Sequence, residues 1–249
     1  MSTDRVNSYE GGVGKVIVQG MRINKTAAQT TLGTIRDLAA GRQIVYAKVG
    51  AAAVSAGDVL QTIAAVALHQ ACSHVGTASV GAKQVTITLG ATAAAADLYQ
   101  DGFFCVISGA GAGYSYMVDY HRSCAASADL QVYLKDGLEV ALTSLSICSL
   151  IPNKYTGVIA TILSAASNST VGVALCTGSI NSYVWLGKKG IFLCEKDAGA
   201  IAPGAQLING SAAGTVGVIA TATVNVQVVG KAVQSAAAGA VRCMVDLDL

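Results

Sequence analysis

Hydrophobic and polar positions alternate along most of this chain, and the alternation has a period of two. In "QVTITLG", Val85, Ile87 and Leu89 fall on one side of an extended chain, with Thr86 and Thr88 on the other. In "TATVNVQVVG", Val224, Val226 and Val228 alternate with Asn225 and Gln227. Such runs predict half-buried antiparallel strands, apolar towards a core and polar towards water. "LQVYLKDGLEV" reads as a strand running into an Asp136-Gly137 turn, a hairpin signal. From "GRQIVYAKVG" onward, Gly, Asn or Asp interrupts these runs at short, regular intervals. Helical patterning is scarce. "ATAAAADLYQDG" (91–102) is Ala-rich and predicts a short helix, whereas "GDVLQTIAAVALHQA" (57–71) fits a helix or a strand followed by a loop. The fold class expected is mainly β: antiparallel sandwich or barrel units with one or two short helices.

Residues 1–33 break the pattern. They are polar and rich in Gly and Thr, with one short apolar run around Val16, Ile17 and Val18. A segment of this kind buries too little apolar surface to order itself, so we expect an extended N-terminal arm lying on a partner or along a domain edge. Turn chemistry at Ile151-Pro152-Asn153 suggests a first β domain at 34–150 and a second at 151–249. The second contains a weak repeat: 157–190 and 217–249 both open on Gly-Val-Ile-Ala-Thr and later share Val-Gly-x-Ala. "AAVSAGDVLQ" (52–61) and "GAIAPGAQLI" (199–208) echo each other as a turn followed by a strand. Repeated strand units suit a sandwich or barrel assembled from similar pieces.

Composition sharpens this picture. The chain is 53% hydrophobic but only 12% charged, with 28 Gly, 2 Pro and 5% aromatic residues. The core must therefore use small aliphatic side chains, and so little charge suggests surface buried against other chains. Net charge is +2, too weak to indicate nucleic acid. No stretch has the length and apolarity of a membrane span. "MSTDRVNSYEGG" has no apolar signal core, so folding in a cytoplasm is expected. There the seven cysteines, at 72, 105, 124, 148, 176, 194 and 243, would stay reduced.

Candidate chemistry is sparse. "ISGAGAGYSYMV" places Gly109, Gly111 and Gly113 at alternate positions after a strand-like run. A dinucleotide loop needs G-x-G-x-x-G opening a helix. Here Tyr114 stands where the third glycine should be, and Tyr114, Tyr116, Val118 and Tyr120 follow with period two. That is a strand, so the glycines predict a hairpin tip near Gly111, with Cys105 opposite about Met117. "HQACSH" offers His69, Cys72 and His74, but no remote pair completes a four-coordinate metal site, and partly exposed loop residues are expected. Cys105 or Cys124 near His121 lacks the geometry of a Cys-His pair. No catalytic, cofactor-binding or metal-binding residue is assigned. The tyrosine face (Tyr114, Tyr116, Tyr120) is expected to be core or subunit interface, and Trp185 core.

Several runs resemble tailed-phage virion structural proteins. They are "GTIRDLAAGRQIVYAKVGAAAVSAGDVLQ", "VTITLGATAAAADLYQDGFFCVISGAGAGYSYMVDYH" and "SLIPNKYTGVIA". The ending "VGKAVQSAAAGAVRCMVDLDL" is similar to capsid decoration and head-stabilising proteins. The resemblance covers roughly residues 30–249. It implies a mainly β fold and no active site. It further implies a symmetric homo-oligomer, often a trimer, on the outside of an icosahedral shell, with the major capsid protein as partner. Contacts between chains are then expected from the arm, whose Arg5, Lys15, Arg22 and Lys25 would meet acidic capsid surface, and from the tyrosine face. The alternatives are a virion or surface module recognising host glycans through that face, and a tail or neck component. Seven is an odd number of thiols, and virions leave the reducing cytosol, which suggests an inter-chain disulfide formed after lysis. Reducing and non-reducing gels of purified particles should then differ; identical monomer bands would refute the cross-link.

Overall fold

The computed structural model describes residues 20–161, 168–219 and 227–249. Their strands, in chain order, are β1 (Ile35–Asp37), β2 (Gln43–Lys48), β3 (Val59–Gln61), β4 (Cys72–Ser73), β5 (Gln84–Thr88), β6 (Phe103–Ser108), β7 (Ser115–His121) and β8 (Asp129–Leu134). They continue as β9 (Ile147–Ile151), β10 (Ile159–Ala160), β11 (Thr170–Ala174), β12 (Tyr183–Glu195), β13 (Gln206–Asn209), β14 (Val216–Val218), β15 (Val228–Ala232) and β16 (Arg242–Asp248). Every named strand pair is antiparallel. The mainly β expectation holds.

The chain forms two compact units. Unit 2 is Ile63–Thr156, and unit 1 takes the residues on both sides of it, up to Thr62 and from Gly157 to Leu249. The sequence suggested a boundary near 151 with residues 34–150 together; instead the segment before Thr62 groups with the C-terminal half. The reason is pairing. β2 runs alongside β12 from Tyr183↔Lys48 to Lys189↔Gln43, and β3 lies between β10 and β11. Local turn chemistry at Pro152 carries no information about such distant partners.

Unit 1 is one ten-stranded sheet whose main path is β10-β3-β11-β12-β16-β15-β13-β14, with β2 and β1 branching from β12. This order is a palindrome. β3, β10, β11 and β12 form one four-stranded repeat, and β13, β14, β15 and β16 form the other in the same internal order. Both sequence echoes fall on equivalent strands: "VSAGD" and "IAPGA" precede β3 and β13, and the two Gly-Val-Ile-Ala-Thr runs meet β10 and β14. The repeats join at β12·β16, where seven residue pairs run from Lys189↔Asp248 to Glu195↔Arg242. Unit 2 is inserted in sequence into the first repeat, between β3 and β10, where the second repeat has only the connection 210–215 between β13 and β14. The chain leaves and returns at paired positions, Gln61↔Ile159.

Unit 2 is a six-stranded sheet, β4-β9-β6-β7-β8-β5. It nearly closes on itself: beyond β4, His74 bridges to Ile87 and the Val75 N–H donates to the Thr86 carbonyl. Val85, Ile87 and Leu89 point into its core as their alternation predicted, with Phe104, Val106, Tyr116, Val118, Leu130 and Val132. Unit 1 packs Trp185, Tyr46, Phe192, Val245 and Leu247. Aromatics are few, so the ones present are concentrated: Tyr46 lies 5.0 Å from Trp185 and stacks on Tyr183 at 5.8 Å, and the Arg36 guanidinium sits 4.8 Å over the Trp185 ring.

One small device recurs in both units. Two segments meet through a reciprocal pair of backbone hydrogen bonds, and each then makes a tight turn into a strand. The meeting pairs are Val54↔Gly178 and Ile201↔Ala236 in unit 1, Ala78↔Leu142 and Ala94↔Cys124 in unit 2. In seven of the eight turns the third residue has a positive φ: Gly57, Gly81, Asp97, Ser127, Asn181, Gly204 and Gly239. That is the conformation a type II turn requires, which is why Gly, Asn and Asp mark it.

Two local expectations are corrected, and at 57–71 the strand-then-loop alternative is the one found. Residues 91–102 form turns rather than a helix, because Asp97 and Asp101 both have positive φ and interrupt any helical run. Residues 57–71 give β3 and a single 3-10 turn, Ala67–His69. Asp136-Gly137 makes a bend without a hairpin, since β8 pairs with β7 and β5 and the following strand β9 pairs elsewhere. Val224 and Val226 lie outside the described residues, as does the arm before residue 20. Its remainder lies along unit 1, with Lys25 bridged to Tyr183 and the Gln29 N–H donating to the Tyr46 hydroxyl.

Two glycines separate turn strain from crowding. A Cβ on Gly204 would meet nothing within 4 Å, whereas one on Gly109 would stand 2.5 Å from the Leu145 carbonyl oxygen. Gly204→Ala should cost about 1 kcal/mol, the left-handed backbone penalty alone. Gly109→Ala carries the same penalty plus the clash and should cost about 3 kcal/mol or more. Urea unfolding of the two variants checks the order; equal losses would refute it.

Candidate interaction surfaces

The glycine run is a hairpin tip. β6 and β7 pair as Phe103↔Met117, Phe104↔Tyr116 and Cys105↔Ser115, so Cys105 faces Ser115, two residues from the expected Met117. Across the tip the Gly113 N–H donates to the Val106 carbonyl at 2.9 Å. Gly109, Gly111 and Gly113 all have positive φ. No helix follows, so no helix N-terminus faces the loop.

The tyrosines do not share a face. Tyr116 is buried, and Tyr114 stacks on it at 6.4 Å while remaining part-exposed. Between Val118 and Tyr120 the register with β8 shifts. This bulge turns Tyr120 outward, where it stacks on Tyr133 at 4.3 Å, and turns His121 inward. A bulge moves every later side chain to the opposite face, which an alternation count cannot anticipate. Of the arm cations, Arg22 and Lys25 are exposed along unit 1, while Arg5 and Lys15 lie outside the described residues.

His69, Cys72 and His74 are buried, not loop-exposed as expected. His69 Nδ1 lies 2.5 Å from the Tyr99 hydroxyl, and its Nε2 lies 2.8 Å from the Thr92 carbonyl oxygen. The Tyr99 N–H donates to His121 Nε2, which leaves Nδ1 to donate to the Arg122 carbonyl at 2.9 Å. These rings tie the turns of 91–102 and the end of β7 into the unit 2 core. Neither ring nitrogen of His74 meets a protein partner. Among the described residues no three His, Cys, Asp or Glu side chains gather as a metal site.

All seven cysteines are free. Cys72 faces Cys148 across β4·β9, and Cys194 faces Cys243 across β12·β16. Both are hydrogen-bonded positions of their ladders, given the His74 N–H to Ser146 and Lys196 N–H to Val241 bonds two residues away. There facing Cβ atoms are about 5.5 Å apart, beyond the roughly 4 Å of a relaxed disulfide. Burial raises the Cys148 thiol to about 12, helped by Cys72 and Cys105. Only Cys105 and Cys124 are partly exposed.

In unit 1 the Asp197 carboxylate organises the 210–215 connection. It accepts hydrogen bonds from the Ser211 N–H (2.8 Å), the Ser211 and Thr215 hydroxyls (3.1 and 2.5 Å) and the Ala212 N–H (3.3 Å). Burial alone would raise its pKa, but these bonds outweigh it and hold the carboxyl below its usual range. The buried Lys196 ammonium donates to the Asp197 and Gly199 carbonyls at 2.7 and 2.6 Å. These groups are occupied in holding loops.

What remains on the outside is turns and connections together with the outer sides of strands. The described residues include no helix long and apolar enough to cross a membrane. The segment 149–247, from β9 to β16, matches the family model for phage cement protein. The match spans about two fifths of the chain and covers most of both unit 1 repeats. It supports a phage capsid-associated structural protein. No curated protein and no solved structure matches the chain.

Burial, with a smaller contribution from His69, lowers the His121 pKa from 6.5; the Arg122 carbonyl and Asp97 only partly oppose this. Below pH 6.5 the unfolded chain therefore takes up a proton that the folded unit resists, and stability falls with pH until the folded value is passed. Hydrogen exchange of unit 2 amides should show weaker protection at pH 5 than at pH 7, after correction for intrinsic rates. His121→Gln should reduce this dependence; an unchanged dependence would refute the assignment.

Proposed function

We propose that this chain is a non-enzymatic virion protein that decorates the outside of a phage capsid. It would bridge major capsid subunits as a symmetric homo-oligomer, a trimer by the resemblance, after synthesis in the host cytoplasm. The observation that carries this reading is the phage cement protein match across the unit 1 repeats. The sheet geometry agrees with it. The Asp197, Lys196, His69 and His121 polar groups hold loops and turns, and the outer sides of strands, with the turns between them, are free for contact.

The mechanism is linkage. A protein that binds only the assembled shell stabilises it by RT ln(1 + [L]/Kd), about 2.7 kcal/mol at a concentration 100 times Kd. The exposed Arg22 and Lys25, with Arg5 and Lys15 earlier in the arm, supply positive charge for acidic capsid surface. An inter-chain disulfide would use Cys105 or Cys124, the two thiols that are not fully buried. The glycan-binding alternative is less well served, since Tyr116 is buried and the Tyr120 ring is already stacked on Tyr133.

Quantitative electrophoresis of purified phage particles tests the proposal. Hundreds of copies per particle, with release lowering the temperature at which shells open, are the expected result. A few copies would indicate a tail or neck component, and absence from particles would overturn the proposal.

A further inference from the structure

The outer face of the unit 2 sheet has two unlike halves. On β5 and β8 it carries Gln84, Thr86, Thr88, Asp129 and Gln131, the polar surface expected of an antiparallel sheet facing water, with Tyr133 at one end covered by the stacked Tyr120 ring. On β9, β6 and β7 it is mostly apolar, broken only by the two serines that flank Cys105: Ser149, nearly buried and accepting the Ala71 N–H, and the exposed Ser115. Ile151, Phe103 and Met117 stand side by side in one cross-strand row, 43%, 42% and 37% exposed. Cys105 and then Ile107, 52% exposed, continue along β6. No charge interrupts this surface on the three strands until Asp119. Across from Met117, the Lys135 ammonium is ion-paired with Asp101. Within one sheet, alternation has been kept for solvent on one side and abandoned on the other.

We propose that this β9-β6-β7 face is a docking surface for an uncharged apolar patch on the assembled capsid shell. The inference rests on the capsid-binding reading and adds a contact made by unit 2, nearly all of which lies outside the family match. Area selects the shell over a second copy of the chain. About seven outward positions, at a strand spacing of about 4.8 Å and about 6.7 Å per outward residue, cover on the order of 250 Å². A stable dimer needs about 800 Å² from each partner. So small a face holds only when other contacts of the same chain have already delivered it, and on the capsid-binding reading the family-matched unit 1 would supply them.

The test uses the full-length protein and shells of its own phage stripped of it. Phe103→Lys with Met117→Lys places two cations on the face; both side chains point outward, so the melting temperature should move by no more than a few degrees. Thr86→Lys on the polar half is the control. In co-sedimentation, wild type and Thr86→Lys should bind alike, and the double variant roughly 100-fold more weakly. Its solution oligomer should match wild type by analytical ultracentrifugation. Wild-type-like shell binding by the double variant would overturn the inference while leaving the capsid-binding reading intact. Loss of the solution oligomer would also overturn it, by making the face a contact between copies. Failure of wild type to bind would remove both.

Discussion

The β12·β16 ladder is the constraint on which unit 1 depends. It joins the two four-stranded repeats through seven facing pairs. On its inner side Phe192, Cys194, Cys243, Val245 and Leu247 close the core. Each such buried aliphatic or aromatic side chain stabilises by roughly 1.5–3 kcal/mol. Without that seam each repeat would end on an open edge: the second half of β12, which β11 and β2 do not reach, and the side of β16 away from β15 would lose their partners.

Placing unit 2 in the first repeat follows from the same geometry. β3 and β10 are already paired where the chain departs, so an insertion there adds a unit without cutting a ladder. The second repeat closes the equivalent gap with a short connection, and Asp197 organises it through four hydrogen bonds. The connection 210–215 in one repeat and a whole β unit in the other occupy corresponding positions. The seam, the repeats and the insertion together leave outer sheet faces and turns free for contact, which suits a protein that works by being bound.

Charge scarcity acquires a location in this fold. Ion pairs among the described residues are few: Lys135–Asp101, Arg242–Glu195 and the longer Lys189–Asp248. The Arg242 guanidinium also donates to the Ala56 carbonyl, tying the "VSAGD" turn to β16. These three ion pairs sit at turns and sheet margins, and the Ile151-Phe103-Met117 row carries no charge of its own.

The sequence by itself determined the strands, because a period of two is local: Val85, Ile87 and Leu89 had to share a face. It also determined the hairpin at Gly109–Gly113 and the internal repeat, because turn residues and self-similarity are written in consecutive positions. It did not determine which strands pair. Grouping β2 and β3 with residues beyond 157, the missing hairpin at Asp136-Gly137 and the opposing Cys72–Cys148 and Cys194–Cys243 pairs all depend on partners far along the chain. Nor did it determine the fate of the tyrosines, since one bulge between Val118 and Tyr120 sends Tyr120 outward and His121 inward. Ladder register and bulges are settled by tertiary packing, where burying one face of every strand at once admits one arrangement that the local alternation cannot choose.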